Sequence, residues 1–164
     1  MIRSMLYATD LGLYAPYVLQ HALALARTFN AELHVIHVVE PMGLFAESLL
    51  QSYLDEDVLR ELHSEGINTV IEGIESQVLT SFRDELGEDN RDLELIRSVR
   101  VVQGDPSNVI LEQAGRLEVD LLVVGSHSHG TVGDTPIGRT AARVLQLSEV
   151  PVYMVPMLQN RAVR

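Results

Sequence analysis

Leu121-Leu122-Val123-Val124-Gly125-Ser126-His127-Ser128-His129-Gly130-Thr131-Val132-Gly133-Asp134-Thr135-Pro136-Ile137-Gly138-Arg139-Thr140 runs from an apolar segment through a glycine-rich loop toward a helical one. Its first four residues show no alternation of apolar and polar types, which is expected of a strand covered on both faces, as in a parallel sheet. Four further short runs are rich in β-branched residues: Met5 to Thr9, Leu33 to Val39, Val99 to Val102 and Val150 to Val155. Each reads as a strand. The intervening segments carry apolar residues at helical spacing, so strands and helices alternate and the fold class is α/β with a parallel sheet.

Working outward, Val18, Leu19, Ala22, Leu23, Ala26 and Phe29 mark one helix, with Pro16 in its first turn and Asn30 as a left-handed C-terminal cap. Ile67, Ile71, Ile74, Val78, Phe82 and Leu86 define one face of a second helix. Phe45, Leu49, Leu50, Tyr53 and Leu54 begin that helix or form a separate one, with Gly66 or Gly73 as the break. Leu86 to Arg97 is acidic and polar enough for a mobile loop. Asp105-Pro106 predicts an N-cap and first helical position for a helix reaching about Glu118. Thr135-Pro136 repeats that signature before Ala141, Val144, Leu145 and Leu147, which would place Gly138 in the first helical turn.

At 164 residues, and roughly 150 per domain, residues 1–164 are expected to form one domain. Acids outnumber bases 23 to 12, a formal charge of −11, which disfavours nucleic acid and anionic lipid as partners. Cysteine is absent, excluding disulfides, thiolate metal sites and a thiol nucleophile. All 12 basic residues are arginine, which excludes a P-loop lysine and Schiff-base chemistry. No apolar run reaches 18 residues and no signal peptide is visible, so a soluble cytoplasmic protein is expected.

The loop after Val124 carries the chemistry. A glycine-rich connection into a helix N-terminus offers backbone N–H groups and a partial positive charge to an anion such as phosphate. The plain alternative is a long surface loop built from four glycines and several hydroxyl residues. Asp10 ends the first strand on the same sheet edge, where it can accept from an adenine amine or a ribose hydroxyl, or cap the following turn.

Along nearly its whole length the chain resembles the universal stress protein family of UspA-like nucleotide-binding proteins. The resemblance lies in Leu6-Tyr7-Ala8-Thr9-Asp10, Glu32 to Val39, Gly104-Asp105-Pro106, Asp120 to His127 and Val150 to Val155. It implies a doubly wound, Rossmann-like five-stranded parallel sheet in the order 3-2-1-4-5 with helices on both faces, similar to the adenine nucleotide alpha hydrolases. The first and fourth strands would then adjoin, with Asp10 and Gly125 facing one crevice. The family's ATP-binding branch carries a glycine, two residues, a glycine, nine residues, a glycine and then serine or threonine. Gly125 and Gly138 match, whereas Ser128 replaces the second glycine and Arg139 the hydroxyl residue, with Thr140 one place later. By resemblance, Ala8, Thr9, Asp10 and main-chain Val38 would line the adenine and ribose side. Val124, Gly125, Ser128, Gly138, Arg139 and Thr140 would line the phosphates. The implied ligand is ATP, or AMP or ADP, with Mg²⁺ carried by the nucleotide.

The same resemblance implies a stress-response regulator that pairs as a homodimer through Val150 to Val155, an apolar edge strand whose pairing Pro151 and Pro156 limit to a short stretch. Nucleotide would order residues 126 to 139 and so alter a partner surface. The alternative is a nucleotide-free dimer acting through protein contacts alone. Ser126 to Gly130 approaches a nucleophile elbow but lacks its first glycine, and no histidine follows His129 to complete a triad. His127 and His129 with Asp134 make a weak metal signal. His34 and His37 lie in a strand and read as hydrogen-bonded structural residues. No clustered carboxylates or activated nucleophile stand out, so the chain is expected not to be an enzyme beyond slow ATP hydrolysis.

Overall fold

The computed structural model describes residues 1–41, 52, 55–57, 67–87, 91–127 and 137–157. In chain order these form β1 (Ser4–Thr9), α1 (Ala15–Phe29), β2 (Glu32–Val39), α2 (Ile67–Leu86), a 3₁₀ turn (Arg91–Leu95), β3 (Ile96–Gln103), α3 (Pro106–Arg116), β4 (Leu121–Gly125), α4 (Arg139–Leu147) and β5 (Val152–Val155). The sheet is five-stranded and parallel, in the order β3-β2-β1-β4-β5. Among the described residues no helix is long and apolar enough to cross a membrane.

Side-chain alternation explains why the central strands read as uninterrupted apolar runs. Met5, Tyr7, Leu33, Val35, Leu121 and Val123 pack on one face against α1 and the Val78 and Phe82 side of α2. Leu6, Ile36, Leu122 and Val124 pack on the other against Ile110 and Ala114 of α3 and Val144 of α4. With both faces covered, neither set of positions is free to be polar. The amino end of the sheet is closed by Asp120, whose carboxylate accepts the Arg3 and Ser4 amides at 2.8 and 3.1 Å. Those two amides hold its carboxyl below the usual carboxylate range.

The α1 boundaries agree with the sequence reading: Pro16 lies in the first turn and Asn30 adopts the left-handed cap, φ 52° and ψ 47°. Other boundaries differ. The helix of α2 runs through Gly73 without a break, and Gly66 with Phe45, Leu49, Leu50, Tyr53 and Leu54 lies outside the described residues. Part of the segment expected to be mobile is instead structured, because Arg91–Leu95 forms a 3₁₀ turn pinned by the 2.6 Å Arg27–Asp92 ion pair. The third strand starts at Ile96, since an edge strand tolerates polar Arg97, Ser98 and Arg100. The α3 helix stops at Arg116, where Leu117 caps it and Glu118 turns left-handed at φ 50°. The last strand begins at Val152, two residues later than expected, after Pro151, which has no N–H to give the ladder.

The largest correction concerns α4. It begins at Arg139 with Gly138 as its N-cap, so Gly138 is not in the first helical turn, and Thr135-Pro136 lies outside the described residues. The cause is a non-local bond: the Gly138 amide donates to the Ser126 carbonyl at 2.6 Å and holds Gly138 extended at φ −72° and ψ 160°. Helical bonding then starts with the Ala142 amide on the Gly138 carbonyl.

Candidate functional site

The strand order reverses between β1 and β4, which leaves a crevice beyond their carboxyl ends. Ala8 and Val124 are paired across it. The β1–α1 turn is built from local bonds, the Thr9 hydroxyl accepting the Leu11 amide at 3.1 Å and the Asp10 carboxylate accepting the Gly12 amide at 2.9 Å. Together they hold Leu11 at φ 58°, an uncommon conformation for a leucine. Of the two roles open to Asp10, the turn-capping one is occupied by Oδ1. Across the crevice, Ser126 works as a clasp. Its amide donates to Val155, its carbonyl accepts Gly138 and its buried hydroxyl accepts the Met157 amide at 2.7 Å. The hydroxyl also lies 2.8 Å from His127 Nδ1.

The crevice encloses a cavity of about 280 Å³. Ala8, Thr9, Asp10 and Val38 line one flank, and Val124, Gly125 and Thr140 line the other. Arg139 borders an adjoining chamber of about 300 Å³, which Thr140 also lines. Gly138 is buried behind the wall, with its amide committed to Ser126 rather than offered to a ligand. Ser128 lies outside the described residues, as do His129 and Asp134 of the weak metal signal.

Sequence reading missed several lining residues. Tyr14 and Tyr17 come from the first turn of α1 and the residue before it. His37 precedes Val38 at the carboxyl end of β2, and its Nδ1 lies 2.9 Å from the Thr9 carbonyl. That carbonyl only accepts, so Nδ1 carries the hydrogen in the neutral ring. Its position beside Val38 was the available signal. His34, by contrast, is a structural residue, with Nδ1 2.7 Å from the Ser98 hydroxyl. Gly104 ends β3 and turns the chain into α3. Its φ of 156° and the 2.6 Å separation a Cβ would have from Val109 Cγ2 both require glycine.

At the rim two helices point their N-termini toward the same region. The Asp105 carboxylate caps α3, accepting the Asn108 amide at 3.1 Å and the Ser107 hydroxyl at 3.0 Å. These bonds, the Asn108 amide foremost, hold its carboxyl below the usual range. The N-cap of α4 has no side chain, and the amides of Arg139, Thr140 and Ala141 precede its first intrahelical bond. The arrangement offers an apolar slot beside main-chain groups, leading to donors and guanidinium charge suited to an anion.

The universal stress protein family profile matches residues 1–156. The chain is 29% identical over 156 residues to the universal stress protein YxiE of Bacillus subtilis, covering 94% of this chain and 99% of that one. It is 28% identical to a universal stress protein of Thermus aquaticus, with the same coverage. Among solved structures it is similar to the hypothetical protein MJ0577, with a TM-score of 0.72 at 24% identity over 97% of this chain and 99% of that one. It is also similar to a universal stress protein in complex with cAMP, with a TM-score of 0.53 at 18% identity over 94% and 97% of the two chains. With the matched sheet order and a profile spanning both sides of the crevice, the chain belongs to the universal stress protein family.

Proposed function

We propose that this chain binds an adenine nucleotide, ATP foremost, and acts as a homodimeric stress-response regulator through binding rather than turnover. The observation that carries the reading is the crevice between β1 and β4, which joins a slot lined by Ala8, Val38 and Val124 to the uncapped start of α4. A universal stress protein of similar fold is in complex with cAMP, which supports an adenine nucleotide as the ligand class.

The base and ribose would occupy the side of Ala8, Thr9, Asp10 and Val38, with Asp10 accepting a ribose hydroxyl through the oxygen not used on Gly12. The phosphates would meet the Arg139, Thr140 and Ala141 amides and the arginine fork, with Gly125 and Val124 beneath and Ser128 adding a hydroxyl. Gly138 acts indirectly by fixing where α4 begins. The two chambers, about 280 and 300 Å³, share Glu40, Pro106 and Thr140, and their combined size suits a nucleotide. Mg²⁺ carried by the phosphates would offset repulsion from a chain of net charge −11, with the Glu40 and Asp105 carboxylates lining the chamber it would enter.

Ligand binding at α4 biases the segment joining β4 to α4, and thereby the surface it presents. Dimerisation is supported by β5, which among the described residues pairs with β4 alone and ends the sheet. Light scattering at micromolar concentration is expected to give twice the chain mass. Calorimetry with ATP and Mg²⁺ tests the nucleotide: saturable heat is expected, and no heat at millimolar ATP would leave the nucleotide-free dimer.

A further inference from the structure

The second chamber opens from the adenine crevice at Glu40, Pro106 and Thr140, and its far walls are Asp105 at the start of α3 and Arg139 and Arg143 on α4. The two arginines are one helical turn apart and exposed, so their guanidiniums project from one face. Among the described residues neither forms an ion pair, unlike Arg27 and Arg116. Asp105 is close enough to feel both charges, yet its carboxylate is engaged by the Asn108 amide and the Ser107 hydroxyl. Glu40 is the other acid on the wall. Two planar forks, each with five N–H donors, are therefore held over an aqueous chamber in a molecule that is otherwise strongly acidic.

Resting on the adenine-nucleotide reading, we propose that Arg143, one turn along α4 from Arg139, selects for phosphate-chain length by reaching the outer phosphates of a nucleoside triphosphate in this chamber. A single phosphate on the ribose reaches the first turn of α4 and ends there. Only a longer chain passes Thr140 to the face that Arg143 shares, where guanidinium and phosphate oxygens match as paired hydrogen bonds. The class of ligand is a nucleoside polyphosphate in preference to a monophosphate or a cyclic monophosphate.

The test is a calorimetric series with adenosine, AMP, cAMP, ADP and ATP, each with Mg²⁺, on the full chain and on Arg143→Ala and Arg143→Lys. Affinity is expected to rise from AMP through ADP to ATP. Arg143→Ala should weaken ATP by about tenfold, the scale of one lost charge-assisted hydrogen bond, and leave adenosine and AMP unchanged. Arg143→Lys, which keeps the charge but loses the fork, should recover part of the loss. Unliganded melting curves establish that both variants fold. Equal affinity for AMP and ATP, or an Arg143→Ala loss common to every ligand, overturns the chain-length proposal while leaving nucleotide binding intact. Silence with all five compounds removes the adenine reading itself.

Discussion

The two helices that converge on the carboxyl edge of the sheet begin in opposite ways. At the start of α3, Asp105 satisfies the Asn108 amide and Pro106 removes a donor, so the first turn is largely completed from within the protein. At the start of α4, Gly138 brings no side chain, and the first turn instead carries Arg139 and Thr140 toward a chamber. Both helices stand on the same face of the sheet, packed through Ile110, Ala114 and Val144. The contrast separates a helix end closed by a side-chain cap from one whose first-turn amides have none.

Four changes break or sharpen that contrast. Gly138→Val should have the largest effect, abolishing nucleotide binding while the dimer mass persists in light scattering. The N-cap position is buried and its amide is committed, so the added isopropyl group has to push aside the atoms packed around the start of α4. Unchanged affinity would place the phosphates elsewhere. Leu122→Ala removes a fully buried side chain from the platform under both helices. It should cost about 2–5 kcal/mol in urea unfolding, with little change in slope.

Asp105→Ala should act at the other helix, lowering the melting temperature at neutral pH without loss of adenosine binding. The carboxyl titrates below its ordinary 3.8 in the fold, so its stabilisation is complete above that pH and disappears as pH falls through the lower value. Melting curves of variant and parent should therefore converge in acid. The smallest effect lies outside both helix ends. Burial, the largest influence on His34, pushes its pKa below the ordinary 6.5, so the unfolded chain takes up that proton first. Stability should fall as pH drops below 6.5, and His34→Gln should remove that part of the slope in pH-dependent melting.

What the sequence disclosed follows the range of the forces involved. The strands were legible because burial on both faces leaves long apolar runs, as at Leu121 to Val124. The start of α3 was legible because Asp105 caps a backbone group three residues away. The start of α4 was misread because Thr135-Pro136 carries the same local signature, while the deciding bond links Gly138 to Ser126, twelve residues back. Polar Arg97 and Ser98 obscured where β3 begins, at an edge of the sheet. In the site, Ala8, Asp10, Val38 and Gly125 were accessible through resemblance to strand-end motifs. Arg143 was not, since its place on the chamber depends on how α3 and α4 lie against each other.

The most direct test of the uncapped helix end is an amide NMR titration with Mg²⁺-ATP, using adenosine as the comparison ligand. The account predicts that the Thr140 and Ala141 amides shift with ATP and far less with adenosine, while the Asn108 amide, already bonded to Asp105, responds little to either. ATP-dependent shifts that bypass the first turn of α4 and cluster away from the crevice would contradict it.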